Sequence, residues 1–284
     1  MSSVPPPPPP PSSRPSRAKI LLFGDSLTQT SFEGWASRLA DAYQRRADVI
    51  NRGMSGYNTR WYLRYANDSG LWDEVSPPDS VALIIILFGS NDAAIPTEQP
   101  HSHVPLDEYT SNLQTLIQLC HQHYPQAALL LMTPPPVHHE QRLAYQIKRY
   151  GTLATGRLER TLEYTGLYAQ ACREVAYKYQ IPLVDLYMIM QQQPQPSSSS
   201  SSHLSWSDFF TDGLHFSKTG QEVVYHAIMT MTIQQQLPSL YVTPDPITGF
   251  FNNSGSSCPQ LSSSGPYHDQ IDHTQWEHAF EQHL

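Results

Sequence analysis

Residues that could carry out nucleophilic chemistry occur in two short segments near opposite ends of the chain. Ser26 follows an apolar run, in the order Gly-Asp-Ser-Leu, and Asp212 precedes His215 by three residues. A serine hydroxyl is a weak nucleophile, and a histidine can accept its proton when a carboxylate orients the imidazole ring. Ser26, His215 and Asp212 are therefore a candidate catalytic set for attack on a carbonyl group.

Each of these segments also has a simpler interpretation. A serine between a strand and a helix is a common N-cap, because its hydroxyl accepts a hydrogen bond from a free helix N–H. Ser26 stands at such a boundary, and the usual nucleophile signature G-x-S-x-G is missing around it. The pair Asp212-Gly213 is typical of a turn. Taken singly, neither segment decides between catalysis and a structural role.

Two further residues could stabilise the negative charge that develops when a carbonyl group is attacked. Gly53 has no side chain to keep an anion from its backbone N–H, and Asn91 carries a side-chain amide donor. Together with the N–H of Ser26, they predict an oxyanion hole with three donors. Asp25 and Asp92 are expected to brace these loops by accepting hydrogen bonds from backbone amides.

Alternating strand and helix patterns are expected to bring these residues together. Residues 81–87 (VALIIIL) are apolar on both faces, which is typical of a central parallel strand covered by helices. Similar patterns predict further strands and long helices at these positions: strands at 18–23, 48–51, 128–132 and 182–185, and helices at 34–46, 106–124 and 219–234. In such α/β sheets functional residues collect at the carboxyl ends of the strands, where Ser26, Gly53 and Asn91 would lie.

Several residues outside these segments are expected to be structural. Trp61, at the start of a short helix, is expected in the core, and Leu167 is expected on the inward face of a later helix. Cys120 and Cys172 stand at apolar helix positions and are predicted to be buried thiols, and Cys258 lies in the tail.

Composition argues against several classes of protein. The 284 residues carry a formal net charge of −8 without a cluster of lysine and arginine, so nucleic-acid binding is not expected. No run is apolar for long enough to cross a membrane, and no apolar signal core begins the chain, which predicts no stable membrane insertion and a cytoplasmic location. Histidine pairs such as His121 and His123 would diverge on a helix, so no metal site is predicted.

Three segments have the biased composition of disordered chain. Residues 1–17 contain the run Pro5–Pro11, residues 191–206 are a Gln- and Ser-rich insertion, and residues 241–284 form a polar tail. Residues 18–240 remain as one predicted domain. The proline run is also of the kind that SH3 and WW modules bind.

Four segments carry the candidate site residues: Gly24-Asp25-Ser26-Leu27, Gly53, Gly89-x-Asn91-Asp92 and Asp212-x-x-His215. In this order and spacing they resemble the sequence blocks of the SGNH/GDSL hydrolase superfamily, and the resemblance covers roughly residues 18–235. The resemblance implies a flavodoxin-like three-layer α/β/α sandwich with a five-stranded parallel sheet. It implies Ser26 as the nucleophile, His215 as the base and Asp212 as the residue that orients it. Gly53 and Asn91 would complete the oxyanion hole, and no cofactor would be needed.

Longer stretches are similar to the isoamyl acetate-hydrolysing esterases within that superfamily. The stretches are NRGMSGYNTRW (51–61), FGSNDA (88–93), TPPPV (133–137) and DGLHFSKTG (212–220). This similarity implies a serine esterase that hydrolyses small short-acyl carboxylic esters through an acyl-serine intermediate, and it allows a homodimer. A lysophospholipase or lipase, an acyltransferase at the same site, and a catalytically inactive interaction protein are the alternatives.

Overall fold

A single parallel sheet organises the described part of the molecule. The computed structural model describes residues 16–192 and 205–242. The strands there are β1 (Ala18–Gly24), β2 (Ala47–Gly53), β3 (Val81–Leu87), β4 (Ala128–Met132) and β5 (Leu183–Val184). Their order is β2-β1-β3-β4-β5, and every neighbouring pair is parallel. Because the chain winds to one side of β1 and then to the other, a crevice forms outside the carboxyl ends of β1 and β3.

Helices connect the strands and lie on both faces of the sheet. They are α1 (Ser26–Gln29), α2 (Trp35–Ala42), α3 (Thr59–Asp68), α4 (Leu106–His123), α5 (His139–Tyr150), α6 (Leu162–Tyr179), α7 (Leu186–Ile189), α8 (Lys218–His226) and α9 (Gln234–Gln236). A π-helical segment, Ala227–Ile233, joins α8 to α9. The last helix predicted from the sequence, 219–234, therefore corresponds to α8 and this segment.

The sheet separates two apolar clusters, which makes the fold a three-layer sandwich. All residues of β3 are buried, and alternate side chains point to opposite faces. Leu83 and Ile85 belong to the cluster that α2 and α8 cover, whereas Ile84 and Ile86 belong to the cluster under α3, α4 and α6. This two-sided burial explains why the strand is apolar throughout, and it confirms the predicted flavodoxin-like α/β/α sandwich with five parallel strands.

Local differences from the predicted elements have local causes. β3 and β4 span the predicted residues, but β5 is shorter than predicted, because the Asp185 side chain accepts a hydrogen bond from Met188 N at 3.2 Å and starts α7. Leu167 is 50% exposed, so its predicted inward position is wrong. The buried stripe of α6 runs through Tyr168 and Cys172, and Leu167 lies about 100° from Tyr168 around the helix.

The predicted burial of single residues has mixed outcomes. Cys120 and Cys172 are buried free thiols, as predicted. Trp61 is 38% exposed, so its predicted place in the core is wrong. Its ring lies edge-on to Tyr57, with centroids 6.1 Å apart, at the outer side of α3.

The three low-complexity segments fall almost entirely outside the described residues. Of 1–17, 191–206 and 241–284, the structure describes only positions 16–17, 191–192, 205–206 and 241–242. Val242 is buried in the core at the last described position. The boundaries of these segments stay predictions. Pro5–Pro11 and Cys258 lie outside the described residues. In the described ranges, no helix combines the length and the apolarity that crossing a membrane requires.

Candidate active site

The carboxyl ends of three adjacent strands deliver most of the predicted site residues to one rim of the sheet. Ser26 begins α1 two residues after β1, Gly53 is the last residue of β2, and Asn91 lies four residues after β3. Because β2, β1 and β3 are neighbours in the sheet, their ends must lie close together. The loop before α8 brings Asp212 and His215 to the same rim, as the contacts of Ser26 show.

The serine does not cap its helix. The N-cap of α1 is Asp25, whose Oδ1 accepts a hydrogen bond from Leu27 N at 2.9 Å. Ser26 is the first helical residue and half-buried, and its Oγ lies 3.1 Å from His215 Nε2. The structural interpretation of Ser26 as a cap is therefore wrong, because the neighbouring aspartate takes that role and leaves the hydroxyl facing the imidazole.

Asp212 forms a turn and holds the histidine at the same time. Its Oδ1 accepts hydrogen bonds from Leu214 N at 3.0 Å and His215 N at 2.7 Å, while its Oδ2 lies 2.9 Å from His215 Nδ1. Gly213 supports this turn with φ +80°, and a Cβ there would lie 2.4 Å from the His138 carbonyl oxygen. The turn chemistry and the histidine contact, which were alternatives in the sequence, occur together, and each uses one carboxylate oxygen.

The environment keeps Asp212 ionised. Burial, the largest single influence, would raise the pKa of this carboxyl group, whereas the side-chain and backbone hydrogen bonds from His215 lower it. The charges of His215 and Arg142 act in the same direction, so the pKa of Asp212 lies well below its ordinary value. A carboxylate in this state can fix the Nδ1–H tautomer of His215 and stabilise the imidazolium.

Two of the three predicted oxyanion donors are free or partly free to bind an anion. As the first residue of α1, Ser26 has no carbonyl partner for its N–H within the helix. Asn91 Nδ2 donates to the Tyr57 carbonyl oxygen at 2.9 Å, which uses one of its two hydrogens. Arg160 Nη2 donates to Asn91 Oδ1 at 2.8 Å, and because a guanidinium only donates, this contact fixes which end of the amide is the oxygen.

The third donor, Gly53, is engaged elsewhere. Its N–H donates to Asn51 Oδ1 at 2.8 Å, which the sequence did not indicate. The missing side chain serves packing, because a Cβ on Gly53 would lie 2.3 Å from Gln29 N in α1. Gly53 therefore lets the helix that carries Ser26 lie against the end of β2, and its part in the oxyanion hole stays a prediction.

Asp25 and Asp92 accept hydrogen bonds from backbone amides in these loops. Asp25 binds Leu27 N, and Asp92 Oδ1 accepts from Thr59 N at 2.9 Å and Thr59 Oγ1 at 2.5 Å. Burial raises the pKa of Asp25 to about 7, and that of Asp92 to about 6, against the lowering effect of these hydrogen bonds. The second oxygen of each carboxyl group has no hydrogen-bond partner within the described residues.

Comparison with known proteins gives this geometry a family. A sequence model of the GDSL-like Lipase/Acylhydrolase family matches residues 22–223. The chain belongs to this family. The matched region begins inside β1 and ends in α8, so it contains every predicted site residue. Membership makes the protein a carboxylic ester hydrolase, as the sequence predicted.

Individual relatives agree with the family assignment. A GDSL esterase/lipase of Arabidopsis thaliana is 42% identical over 216 residues, which cover 75% of this chain and 84% of that protein. An isoamyl acetate-hydrolyzing esterase 1 homolog of Bos taurus is 35% identical over 256 residues, covering 87% and 92%. The crystal structure of a lipase/acylhydrolase from Enterococcus faecalis has a TM-score of 0.54 at 24% identity, covering 74% of this chain and 93% of that one, which supports the GDSL fold.

Three buried charged residues of this GDSL protein were not found from the sequence. Arg142 Nη1 donates to Asp212 Oδ2 at 2.9 Å, Arg160 contacts Asn91, and Glu159 binds both arginines. Arg142 stands on a helix rich in charged and polar residues, where an arginine is expected to face solvent. Arg142 shares the buried face of α5 with Gln146, and because both side chains are polar, no apolar pattern in the sequence marked this face.

Three of the paired histidines make structural contacts. His138 caps α5 by accepting a hydrogen bond from Gln141 N at 3.4 Å, and His139 Nε2 accepts from Leu162 N at 2.7 Å. His123 stacks on Trp72 with ring centroids 4.9 Å apart. Over residues 16–192 and 205–242, histidine, cysteine and carboxylate side chains nowhere gather in groups of three suited to a metal ion.

Proposed function

We propose that this GDSL-family protein is a serine esterase that hydrolyses small short-acyl esters through an acyl-Ser26 intermediate. The observation that carries the proposal is the continuous chain of contacts from Ser26 Oγ to His215 Nε2, at 3.1 Å, and from His215 Nδ1 to Asp212 Oδ2, at 2.9 Å. Proton transfer between heteroatoms occurs over hydrogen-bond distances of this kind. Ser26, His215 and Asp212 are therefore assigned as nucleophile, base and orienting carboxylate.

The proposed reaction uses each of these groups twice. Ser26 Oγ attacks the ester carbonyl carbon while His215 Nε2 takes the hydroxyl proton, and the resulting tetrahedral oxyanion binds the N–H of Ser26 and the free amide hydrogen of Asn91. The intermediate collapses, and His215 returns the proton to the departing alcohol. Water, deprotonated by His215, then attacks the acyl-enzyme; the bond from the acyl carbon to Ser26 Oγ breaks, His215 returns the proton to Oγ, and the carboxylic acid leaves.

The short-acyl preference rests on the relatives. Proteins 34–37% identical to this chain are named isoamyl acetate-hydrolyzing esterase 1 homologs, and acetate is a two-carbon acyl group. The family description covers lipases as well, so a lipase or lysophospholipase reaction, or acyl transfer at the same site, stays as an alternative. The homodimer, the cytoplasmic location and an SH3 or WW contact through Pro5–Pro11 stay predictions.

The decisive experiment compares the wild type with Ser26→Ala on p-nitrophenyl acetate. We expect kcat/KM to fall by more than about 1,000-fold, because no other group replaces the hydroxyl in acyl transfer. Ser37→Ala is the control, since Ser37 is exposed and its Oγ donates a hydrogen bond to the Gly34 carbonyl oxygen at 2.7 Å, away from the proposed site. A fluorophosphonate probe should label the wild type and not Ser26→Ala. Retention of most activity in Ser26→Ala would reject the mechanism.

A second experiment addresses the substrate. We expect kcat/KM to decline from acetyl towards decanoyl p-nitrophenyl esters, with hydrolysis exceeding transfer when acceptor alcohols are added. A rise with chain length would favour the lipase alternative, and dominant ester exchange would favour the acyltransferase.

A further inference from the structure

Three charged side chains are buried together beside the proposed catalytic residues. Arg142, Glu159 and Arg160 are 7%, 5% and 4% exposed, although side chains of these charged types are almost never fully buried unless they are paired. Ion pairs taken out of water give little net stability, because desolvation offsets their attraction. Such a cluster is better explained by the orientation that it imposes on its neighbours.

A single carboxylate oxygen holds both arginines. Glu159 Oε1 accepts hydrogen bonds from Arg142 Nε at 2.6 Å and from Arg160 Nη1 at 3.1 Å, and it also contacts Arg142 Nη2. The other oxygen, Oε2, has no hydrogen-bond partner among the residues that the structure describes. The position of one oxygen atom therefore sets the positions of two guanidinium groups.

On one side, Arg142 connects the cluster to Asp212, the carboxylate of the proposed triad of Ser26, His215 and Asp212. Arg142 Nη1 lies 2.9 Å from Asp212 Oδ2, the same oxygen that lies 2.9 Å from His215 Nδ1. Arg142 thus fixes the direction of this oxygen and places a positive charge next to it. The helix of Arg142 is tied to the turn by a second contact, in which His138 N donates to the Gly213 carbonyl oxygen at 2.9 Å.

On the other side, Arg160 connects the cluster to the proposed oxyanion hole. Arg160 Nε donates to the Ser90 carbonyl oxygen at 2.6 Å, and Nη2 donates to Asn91 Oδ1 at 2.8 Å. The planar guanidinium of Arg160 therefore holds both the backbone at Ser90 and the side-chain amide of Asn91, which belong to the same loop. Because Oδ1 is held by Arg160, the Nδ2 hydrogens of Asn91 must point away from it, where one of them is free.

We propose that Glu159 is a positioning residue that joins the two halves of the active site, setting Asp212 through Arg142 and Asn91 through Arg160. The inference rests on the proposed function and extends it to residues that touch neither the substrate nor the reacting atoms. It requires that removing one member of the cluster change how the triad titrates, which a purely structural ion pair elsewhere would not do.

The test is the pH profile of kcat/KM on p-nitrophenyl acetate for Arg142→Met and Glu159→Gln. The acidic limb of this profile is the range in which the base becomes protonated and activity falls. Arg142→Met removes a positive charge beside Asp212, which favours the protonated base, so the acidic limb should move to higher pH by about 0.5 to 1 unit. Glu159→Gln leaves the Arg142 charge without its counter-charge, so the limb should move to lower pH. Both variants should lose about 10- to 100-fold in kcat with a smaller change in KM, because the reacting groups are misplaced.

The opposite signs of the two shifts make the test specific. His215 lies within hydrogen-bond distance of Ser26 and Asp212, and its charge acts on the buried Asp25. Both variants leave Ser26, Asp212 and Asp25 unchanged. Arg160→Met should lower kcat with a smaller shift of the limb than Arg142→Met. Arg173→Met is the matched control: it also loses two hydrogen bonds to a carboxylate, that of Asp185, and its profile should keep the wild-type position.

If the wild type has no activity that depends on Ser26, the proposed function fails before the variants are compared. If that activity exists but folded Glu159→Gln and Arg142→Met keep the wild-type kcat and profile, or shift in the same direction, the positioning role is wrong. If either variant does not fold, Arg142→Lys is used instead, because it keeps the positive charge and loses the paired N–H donors of the guanidinium. It should lower kcat and leave the acidic limb at its wild-type pH. A wild-type kcat in Arg142→Lys would overturn the inference.

Discussion

Ser26 Oγ and His215 Nε2 lie 3.1 Å apart although 189 positions separate the two residues in the chain. The end of β1 positions Ser26. His215 is positioned by a turn in which the Asp212 side chain accepts a hydrogen bond from His215 N. Because these supports are independent, the contact depends on the packing of the whole sheet and on the turn.

Asp212→Asn should lower kcat by about 100- to 10,000-fold, because an amide cannot stabilise the imidazolium or hold the same tautomer of His215. The asparagine Oδ1 can still accept the bonds from Leu214 N and His215 N, so the turn should survive. Thermal unfolding and kcat are measured together, with the exposed Asp107→Asn as control. Wild-type kcat in a folded Asp212→Asn would contradict the assigned role.

Asn91→Ala should lower kcat by about 100- to 1,000-fold with a smaller effect on KM, because the lost donor acts mainly on the oxyanion of the transition state. The change also leaves Arg160 Nη2 without its acceptor, so the free energy of unfolding should fall by about 1–3 kcal/mol. Steady-state kinetics and denaturant titration measure both effects, and the exposed Asn67→Ala serves as control. A loss confined to stability would remove Asn91 from the oxyanion hole.

Gly53→Ala should reduce both stability and activity, because its Cβ would meet Gln29 N at 2.3 Å and displace the helix that carries Ser26. We expect kcat/KM to fall by about 100-fold, as for other small displacements of a catalytic group. Gly70→Ala is the control: its φ is +76°, and apart from the two chain neighbours no heavy atom of the described residues lies within 4 Å of the added Cβ. That variant should lose about 1 kcal/mol of stability and no activity. Equal kinetics for the two variants would show that the close approach at Gly53 does not matter.

Asp25→Asn should change how stability depends on pH. The pKa of Asp25 is about 7 in the folded protein against 3.8 as the ordinary value, so ionisation destabilises the fold as pH rises through this range. The destabilisation is absent at low pH and complete above about pH 7, with an upper limit of about 4 kcal/mol. Asparagine keeps the acceptor for Leu27 N and cannot ionise. The melting temperature of Asp25→Asn minus that of the wild type should therefore rise between about pH 4 and pH 7 and stay level above that; a constant difference across this range would contradict the raised pKa.

The fold was predictable because its signals are local and repeated. The run Val81–Leu87 is apolar on both faces, and such a strand is stable only inside a sheet covered on both sides. The order of the four segments, from Ser26 to His215, was also sufficient to indicate the GDSL family. Errors occurred where a large apolar residue was placed on the buried side of its helix, as at Trp61 and Leu167.

The sequence by itself determined which residue types stand at the carboxyl ends of the strands, since strand patterns and turn residues are properties of short segments. Only the tertiary structure decided which hydrogen bonds these residues make. It assigned the helix cap to Asp25, gave the Gly53 N–H to Asn51, and brought Arg142 and Arg160 to partners 70 and 69 positions away. A buried charge is stable only where opposite charges and acceptors surround it, and that arrangement exists only after distant segments have packed together.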